Sequence, residues 1–186
     1  MSLKDKEKWN SKYEVDEYIT GKEPSHWLKD NAGLLAKSGK ALDIAGGEGR
    51  NSVFVASKGY EVTCLDISEN GLRKAQALAQ EKNAKITTVL ADLDSNSLKE
   101  NEYDLILCFN FLERSLFSGI HQALKPGGLL FYETFTVDYL KYSNFKKEWV
   151  LEVNELLQAF SGLRVLRYKE VDDNPKAFAS LVAQKP

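Results

Sequence analysis

Short apolar runs and longer amphipathic stretches alternate along the chain. Runs typical of strands occupy 40–45, 60–65, 85–90, 103–109 and 129–134, followed by two more at 163–170 and 177–184. Patterns typical of helices occupy 2–16, 24–37, 50–58, 69–82, 114–124 and 152–160. Strands alternate with helices until the last two strands, which the polar turn at 172–175 separates. We therefore predict an α/β protein with a doubly wound sheet and one antiparallel strand.

Composition narrows the classes of function. The 186 residues fit a single domain, in which 1–37 would form a helical cap and 38–186 the core. The formal charge of −2 argues against a nucleic-acid partner, which normally needs a basic face. Neither histidine, His26 or His121, belongs to a metal-ligand pattern, so no metal is expected.

The same chain predicts a cytoplasmic protein. No apolar run reaches membrane-spanning length, so no membrane association is expected. The charged N-terminus lacks the apolar core of a signal peptide. Cys64 and Cys108 each lie inside an apolar run, as small core residues do in a reducing compartment.

A glycine-rich turn follows the first predicted strand. Gly46, Gly47 and Gly49 leave backbone N–H groups open at the start of a helix. Such a turn can hold a pyrophosphate or the carboxylate end of an amino-acid-like ligand. The alternative is a tight turn that only allows close packing of strand and helix.

An acidic residue ends the second predicted strand. Asp66 stands where a carboxylate can accept hydrogen bonds from both hydroxyls of a ribose. The alternative is that it caps the following helix, although Ser68 is better placed for that role.

Two nucleotide cofactors compete for this turn. Residues 47–52 nearly match the dinucleotide pattern, but Ser52 replaces its final glycine or alanine. Asp43, just before the turn, would repel a pyrophosphate and would suit a ligand with an ammonium group. The sign of this charge favours S-adenosylmethionine over NAD.

Five strings in the chain together resemble a known family. They are DIAGGEGRN at 43–51, Asp-Ile-Ser at 66–68, Ala-Asp-Leu at 91–93, Tyr-Asp at 103–104 and Leu-Lys-Pro-Gly-Gly at 124–128. They are similar to the class I methyltransferases, and within them to the small tellurite-resistance methyltransferases. The resemblance covers nearly the whole chain. It implies a Rossmann-like fold of seven strands in the order 3-2-1-4-5-7-6, the last one antiparallel, with extra N-terminal helices.

The resemblance implies S-adenosylmethionine as cofactor and assigns residues to it. The methionine end would meet Asp43, Ala45, Gly46, Gly47 and Gly49, with Arg50 and Asn51 fixing the helix start or the carboxylate. Asp66 would hold the ribose, Asp92 the adenine amino group, and Ile67 and Leu93 the two faces of the ring. Phe109 and Asn110 would border the sulfonium, and Trp9, Tyr13 and Tyr18 would form an aromatic lid. The alternative for the lid is an N-terminal helix packed on the sheet edge.

Catalytic residues are harder to assign from the sequence. Methyl transfer from a sulfonium requires alignment above all, and a general base only where the acceptor must lose a proton. Candidates near the ends of the fourth and fifth strands are Glu133 and Arg114, and Tyr139 lies in the substrate-covering segment 136–149. Arg114 could equally form an ion pair with Glu113.

The acceptor itself is predicted only as a class. Without a basic patch or an added domain, a small molecule is favoured, acted on by a monomer or homodimer. Two departures from the subgroup affect this reading: Ala45 replaces the first glycine of the turn, and the acidic hairpin with Asp172 and Asp173 suits no oxyanion. A nicotinamide-dependent oxidoreductase and a non-catalytic cofactor-binding or partner protein stay as alternatives.

Overall fold

The chain alternates strands and helices as far as its closing hairpin. The computed structural model describes residues 3–93 and 98–186, without the side chains of residues 3 and 4. The α-helices are α1 (Leu3–Lys12), α2 (His26–Asp30), α3 (Arg50–Ala56), α4 (Glu69–Glu81), α5 (Leu116–Ala123) and α6 (Glu155–Ala159). The strands are β1 (Gly39–Ile44), β2 (Tyr60–Asp66), β3 (Ile86–Leu90), β4 (Tyr103–Phe109), β5 (Leu124–Phe135), β6 (Arg164–Asp173) and β7 (Lys176–Gln184). Short 3₁₀ turns lie at Ala32–Leu34, Val137–Lys141 and Lys147–Trp149.

The strands form a seven-stranded sheet in the order β3-β2-β1-β4-β5-β7-β6. β1 pairs with β2 and β2 with β3 in parallel, as does β4 with β5. β7 runs antiparallel to β5 and β6. The predicted fold class and strand order are confirmed.

The residues divide into two compact units, the first ending at residue 97 and the second beginning at residue 98. In the first unit, β1 and β2 are buried along most of their length, as their apolar runs predict. The buried face of α4 includes Leu72, Ala75 and Ala79, and its first turn is capped by Ser68, whose hydroxyl accepts the Gly71 N–H at 3.1 Å. This start fixes where the chain turns after β2.

The second unit has an aromatic core. Phe117 of α5, Tyr132 of β5 and Phe160 after α6 meet with ring centroids 5.3–6.0 Å apart. Segment 136–149 is tied to the β6–β7 hairpin, because Lys141 and the Tyr142 hydroxyl both contact the carboxylate of Asp172, at 2.7 and 2.8 Å. The acidic hairpin is therefore partly neutralised by its own neighbours.

Several element boundaries differ from the sequence prediction, and the turn predicted at 172–175 is confined to residues 174–175, because β6 extends to Asp173 and β7 begins at Lys176. The helix expected over 24–37 shortens to α2 and a 3₁₀ turn, because the Asn31 side chain donates to the Trp27 carbonyl and Gly33 follows. β5 starts at Leu124, five residues early, because Gly127 donates its N–H to the Lys185 carbonyl and so joins the sheet. α1 ends at Lys12, and residue 2 of the predicted helix lies outside the described residues. The single-domain organisation stays a prediction.

Candidate functional site

The glycine turn between β1 and α3 has an unusual backbone. Ala45, Gly47 and Gly49 all have positive φ, at 54°, 54° and 81°. The Gly46 N–H donates to the Leu65 carbonyl of β2 at 2.9 Å, and Gly49 closes the turn onto the Gly46 carbonyl at 2.9 Å. The turn is thereby fixed against the end of β2 before α3 begins.

Packing explains much of the glycine content. A Cβ on Gly46 would lie 2.5 Å from Cys64 Sγ, and one on Gly49 would lie 2.6 Å from Cβ of Ala75 in α4. A Cβ on Gly47 would lie 2.6 Å from the hydroxyl oxygen of Tyr13. The close-packing alternative therefore accounts for Gly46 and Gly49, whereas the neighbour of Gly47 is an aromatic residue from the N-terminal segment.

Asp66 connects the turn to the end of β2. One carboxylate oxygen accepts the Gly47 N–H and the other the Ser68 N–H, each at 2.8 Å. Burial raises the pKa of Asp66, and hydrogen bonds from the backbone of Ser68, Gly47 and Ile67 oppose that rise. A carboxylate accepts about four hydrogen bonds, so these three leave capacity for a further donor such as a hydroxyl.

Asp43 lies beneath the turn and is only 1% exposed. Its carboxylate accepts the Ser52 hydroxyl at 2.6 Å and also a bond from the Ser52 backbone, both in the first turn of α3. Burial, with a smaller contribution from the charge of Asp66, raises the pKa of Asp43 to about 7. The side chain supports α3 from below, and its contact with an ammonium group stays a prediction.

The polar residues of the turn bind the N-terminal segment. Glu48 accepts the Thr20 N–H at 2.9 Å, and Arg50 donates to the Thr20 carbonyl at 2.8 Å. Asn51 Oδ1 accepts the Ser25 N–H at 2.8 Å. Arg50 and Asn51, predicted to fix the helix start or a ligand carboxylate, are thus used to hold residues 20–25.

Of the three residues predicted to form an aromatic lid, Tyr13 contacts the turn, whereas the Tyr18 hydroxyl donates to the Lys74 carbonyl of α4 at 3.0 Å. The rings of Trp9 and Tyr13 stack at 5.5 Å, and Tyr13 is 6% exposed, against Gly47 and Gly71. Burial and the charge of Asp66 raise the pKa of Tyr13, so its phenol stays neutral. α1 is placed by Asn10, whose side-chain oxygen accepts the Ser68 hydroxyl at 2.7 Å at the start of α4.

The other predicted nucleoside residues gather at the same end of the first unit. The Ala91 N–H donates to the Asp66 carbonyl at 3.0 Å, which joins the chain after β3 to the end of β2. Ile67 and Leu93 are buried, at 5% and 1% exposure, and Asp92 is half-buried. The structure thus brings the residues assigned to the ribose and adenine next to the glycine turn.

In the second unit, Phe109, Asn110 and Glu133 lie together at the ends of β4 and β5. Phe109 is paired with Glu133, and Asn110, at φ 55°, donates its N–H to the Glu133 carbonyl at 2.8 Å. The Glu133 carboxylate accepts the hydroxyl of Ser180 on β7 at 2.7 Å. No sequence pattern pointed to Ser180, which the closing hairpin brings to this position.

Arg114 makes its hydrogen bonds to other residues of the second unit. Its guanidinium binds both carboxylate oxygens of Glu155 at 2.6 and 2.9 Å, and donates to the Glu148 and Val150 carbonyls at 2.9 Å. The side chain pairs with Glu155 at the start of α6, and not with Glu113 as the sequence suggested. A catalytic role for it stays a prediction.

Tyr139 belongs to an aromatic cluster at the end of β5. Its ring stacks on Phe135 at 4.3 Å and meets Phe145 edge-on at 5.1 Å. Phe145 in turn contacts Trp149, and both are about 40% exposed. Segment 136–149 therefore presents aromatic surface beyond the carboxyl end of β5.

Within residues 3–93 and 98–186, no three or more histidine, cysteine, aspartate or glutamate side chains are grouped so that they could hold a metal ion. Among the same residues, no helix has the length and apolar character needed to cross a membrane.

Comparison with known proteins relates the chain to methyltransferases. Residues 41–128 match the sequence profile of a family described as "Methyltransferase domain". The chain is 31% identical over 140 residues to the "Probable S-adenosyl-L-methionine-dependent methyltransferase TehB" of Haemophilus influenzae, covering 62% of this chain and 48% of that protein. Residues 41–128 thus match a methyltransferase domain, and the chain is similar in sequence and fold to class I S-adenosylmethionine-dependent methyltransferases. S-adenosylmethionine is the cofactor of this family.

Other methyltransferases support the assignment. Identity is 30% over 132 residues with the "Ubiquinone biosynthesis O-methyltransferase" of Photorhabdus laumondii, covering 68% of this chain and 51% of that protein. The chain spans about half the length of these curated relatives. The crystal structure of TehB from Haemophilus influenzae shares the fold with a TM-score of 0.73 at 24% identity, covering 97% of this chain and 67% of that one. A methyltransferase from Aquifex aeolicus gives 0.71 at 18% identity, covering 95% and 98%.

Proposed function

We propose that the chain transfers a methyl group from S-adenosylmethionine to a small-molecule acceptor by in-line displacement. The observation that carries the proposal is the position of Asp66, which links the glycine turn to the ends of β2 and β3 through Gly47 and Ala91. When bound, the cofactor supplies a methyl group on a sulfonium, which is already a good leaving group. The tasks of the protein are then alignment and exclusion of water.

The residues of the first unit fit this cofactor. The spare acceptor capacity of Asp66 suits a ribose hydroxyl, and the buried pair Ile67 and Leu93 suits the faces of an adenine ring, with Asp92 for its amino group. The N–H groups of Gly46 and Gly47 are bonded to Leu65 and Asp66 and are not open as the sequence predicted, so the half-exposed Ala45 and Gly46 would offer contact surface to the methionine end. We assign Asp43 to supporting the turn from beneath, because its carboxylate is bonded to Ser52.

Glu133 is our candidate base for acceptors that must lose a proton. It is half-buried at the carboxyl end of β5 and its orientation is fixed by Ser180. The aromatic cluster containing Tyr139 would form part of the acceptor site. A small-molecule acceptor is consistent with the formal charge of −2, and the comparisons give no support to an oxidoreductase or a non-catalytic binding protein.

The names of the relatives point to no single acceptor, since one is named only as an S-adenosyl-L-methionine-dependent methyltransferase and the other as a ubiquinone biosynthesis O-methyltransferase. A monomeric or homodimeric state and a cytoplasmic location stay predictions.

Asp66→Asn should weaken the binding of S-adenosylhomocysteine about 10- to 100-fold, because the ribose would lose a charged acceptor worth roughly 1–3 kcal/mol. The measurement is isothermal titration calorimetry, with circular dichroism showing that the variant is folded at the same temperature. Asp173→Asn, an exposed carboxylate on the hairpin, should bind as the parent does. Unchanged affinity in folded Asp66→Asn would refute the ribose assignment, and a parent chain that binds neither S-adenosylhomocysteine nor S-adenosylmethionine would refute the proposed function.

Ala45→Gly should tighten cofactor binding severalfold while changing stability by less than about 1 kcal/mol. The left-handed conformation strains alanine by roughly 1–2 kcal/mol, and the added freedom of glycine in the unfolded chain offsets most of that gain. Removing the methyl group opens the half-exposed start of the turn. Asn83→Gly is the matched control, since Asn83 has φ 52° in an exposed turn after α4. Weaker or equal binding by Ala45→Gly would show that the methyl group does not crowd the cofactor.

A further inference from the structure

The N-terminal segment crosses the glycine turn and touches it at three places. Tyr13 covers Gly47 at one end, and Ser25 donates to Asn51 at the other. Between them, Thr20 is held from both sides by Glu48 and Arg50. We call residues 13–25 the strap.

Glu48 is the centre of these contacts. Its side chain is fully buried and accepts the N–H groups of Ile19 and Thr20 at 3.1 and 2.9 Å, and the Thr20 hydroxyl at 2.8 Å. Lys74 of α4 completes the set with an ion pair at 3.0 Å, and also donates to the Glu17 carbonyl. The charged side chain of Glu48, which belongs to the glycine turn, therefore binds the strap.

Beyond Tyr13, which is buried at its start, the strap is held by polar contacts more than by apolar burial. Its larger aliphatic side chains, Val15 and Ile19, are each 47% exposed. A segment with little buried apolar surface and a few hydrogen bonds opens locally at small free-energy cost, without unfolding of the core. Opening of the strap would therefore leave β1, β2 and α4 intact.

The strap and the cofactor residues share the turn. Glu48 lies between Gly47 and Gly49, whose positive φ values define the turn, and the Gly47 N–H is bound by Asp66. Any change in the hydrogen bonds between Glu48 and Thr20 is therefore transmitted to the backbone beside Asp66. The same link works in reverse, since a ligand that stabilises the turn also stabilises the strap.

We propose that the strap gates cofactor exchange, with Glu48 as the positioning residue that keeps it closed through Thr20. This inference rests on the proposed function, because it takes S-adenosylmethionine and its product as the ligands of the turn. Glu48 does not touch the reacting atoms in this scheme. It sets the rate at which the cofactor enters and leaves.

The test uses strap variants that leave the buried pair in place. Thr20→Val removes the hydroxyl donor to Glu48, and Tyr18→Phe removes the hydroxyl that donates to the Lys74 carbonyl at 3.0 Å. Release of radiolabelled S-adenosylhomocysteine is followed by rapid filtration after dilution into excess unlabelled ligand. Thr20→Val should release it about fivefold to tenfold faster, the loss expected for one side-chain hydrogen bond, and Tyr18→Phe should do so to a smaller extent. The rate of turnover at saturating cofactor should change less than the release rate.

Two controls separate gating from a merely structural role. Thr87→Val makes the same side-chain change at an exposed position of β3 and should release ligand at the parental rate. In the parent chain, hydrogen exchange at the Ile19 and Thr20 amides should slow when S-adenosylhomocysteine is added, and this protection should be reduced in Thr20→Val. If the parent binds the ligand but Thr20→Val releases it at the parental rate, the gate is overturned and the proposed function stands. If the parent does not bind the ligand, both fail.

Discussion

Lys74→Met should lower the free energy of unfolding by about 3 kcal/mol, the lower end of the range for breaking a buried ion pair. The Glu48 carboxylate is fully buried and would lose its cation. The donors from Ile19 and Thr20 remain and limit the loss. Methionine keeps the length of the lysine stem, so packing changes little. The measurement is urea unfolding at pH 7, followed by circular dichroism.

A second substitution distinguishes charge from packing. Glu48→Gln in the Lys74→Met background removes the unpaired charge and keeps an oxygen that accepts the Thr20 N–H. The double variant should recover most of the lost stability. Lys6→Met breaks the exposed Lys6–Glu69 pair and should leave stability nearly unchanged. A double variant no more stable than Lys74→Met would show that the loss does not come from a buried charge.

Between pH 4 and pH 7, Asp43 should make the chain less stable as the pH rises, and Asp43→Asn should remove this contribution. Burial raises the pKa of Asp43 from 3.8 to about 7 in the folded chain, whereas the unfolded chain has the ordinary value. In this window the folded state keeps a proton that the unfolded state has lost. The free energy of unfolding therefore falls with pH, by up to about 1.4 kcal/mol per pH unit. Above pH 7 the contribution is constant.

Asn can replace the acid form because its side chain is uncharged and its carbonyl oxygen can accept the Ser52 hydroxyl. The difference in stability between Asp43→Asn and the parent should thus grow from pH 4 to pH 7, as measured by urea unfolding at each pH. Asp30→Asn, at an exposed position of α2, should follow the parental curve. Parallel curves for Asp43→Asn and the parent would mean that the carboxyl is ionised in both states across the window.

The fold was largely predictable because its signals are local and strong. The apolar runs of β1, β2 and β4 are buried on both faces, so they show in the sequence without knowledge of their partners. Ser68 was identified as a cap for the same reason, since its partner Gly71 is three residues away. The 24–37 helix was predicted too long because the spacing of its apolar residues continues past the point where Asn31 ends it.

The sequence predicted where the site residues lie in the fold better than it predicted what their side chains contact. Asp43 and Asp66 were picked out as acidic residues at strand ends, but whether such a side chain faces a ligand or its own helix depends on rotamers that no sequence pattern records. Glu48 was missed altogether as a structural residue. A charged residue in a turn is ordinarily solvated, and its partner Thr20 lies 28 positions away in the chain.

The contacts that fasten the strap are made mostly to its main chain. Glu48 accepts the N–H groups of Ile19 and Thr20. Arg50 donates to the Thr20 carbonyl, and Asn51 accepts the Ser25 N–H. Substituting most strap side chains leaves these groups in place, whereas inserting or deleting one residue between Tyr13 and Ser25 displaces them all. The number of residues in the strap should therefore matter more for its attachment than their identity. Exchanging the strap between related enzymes should succeed when this number is kept.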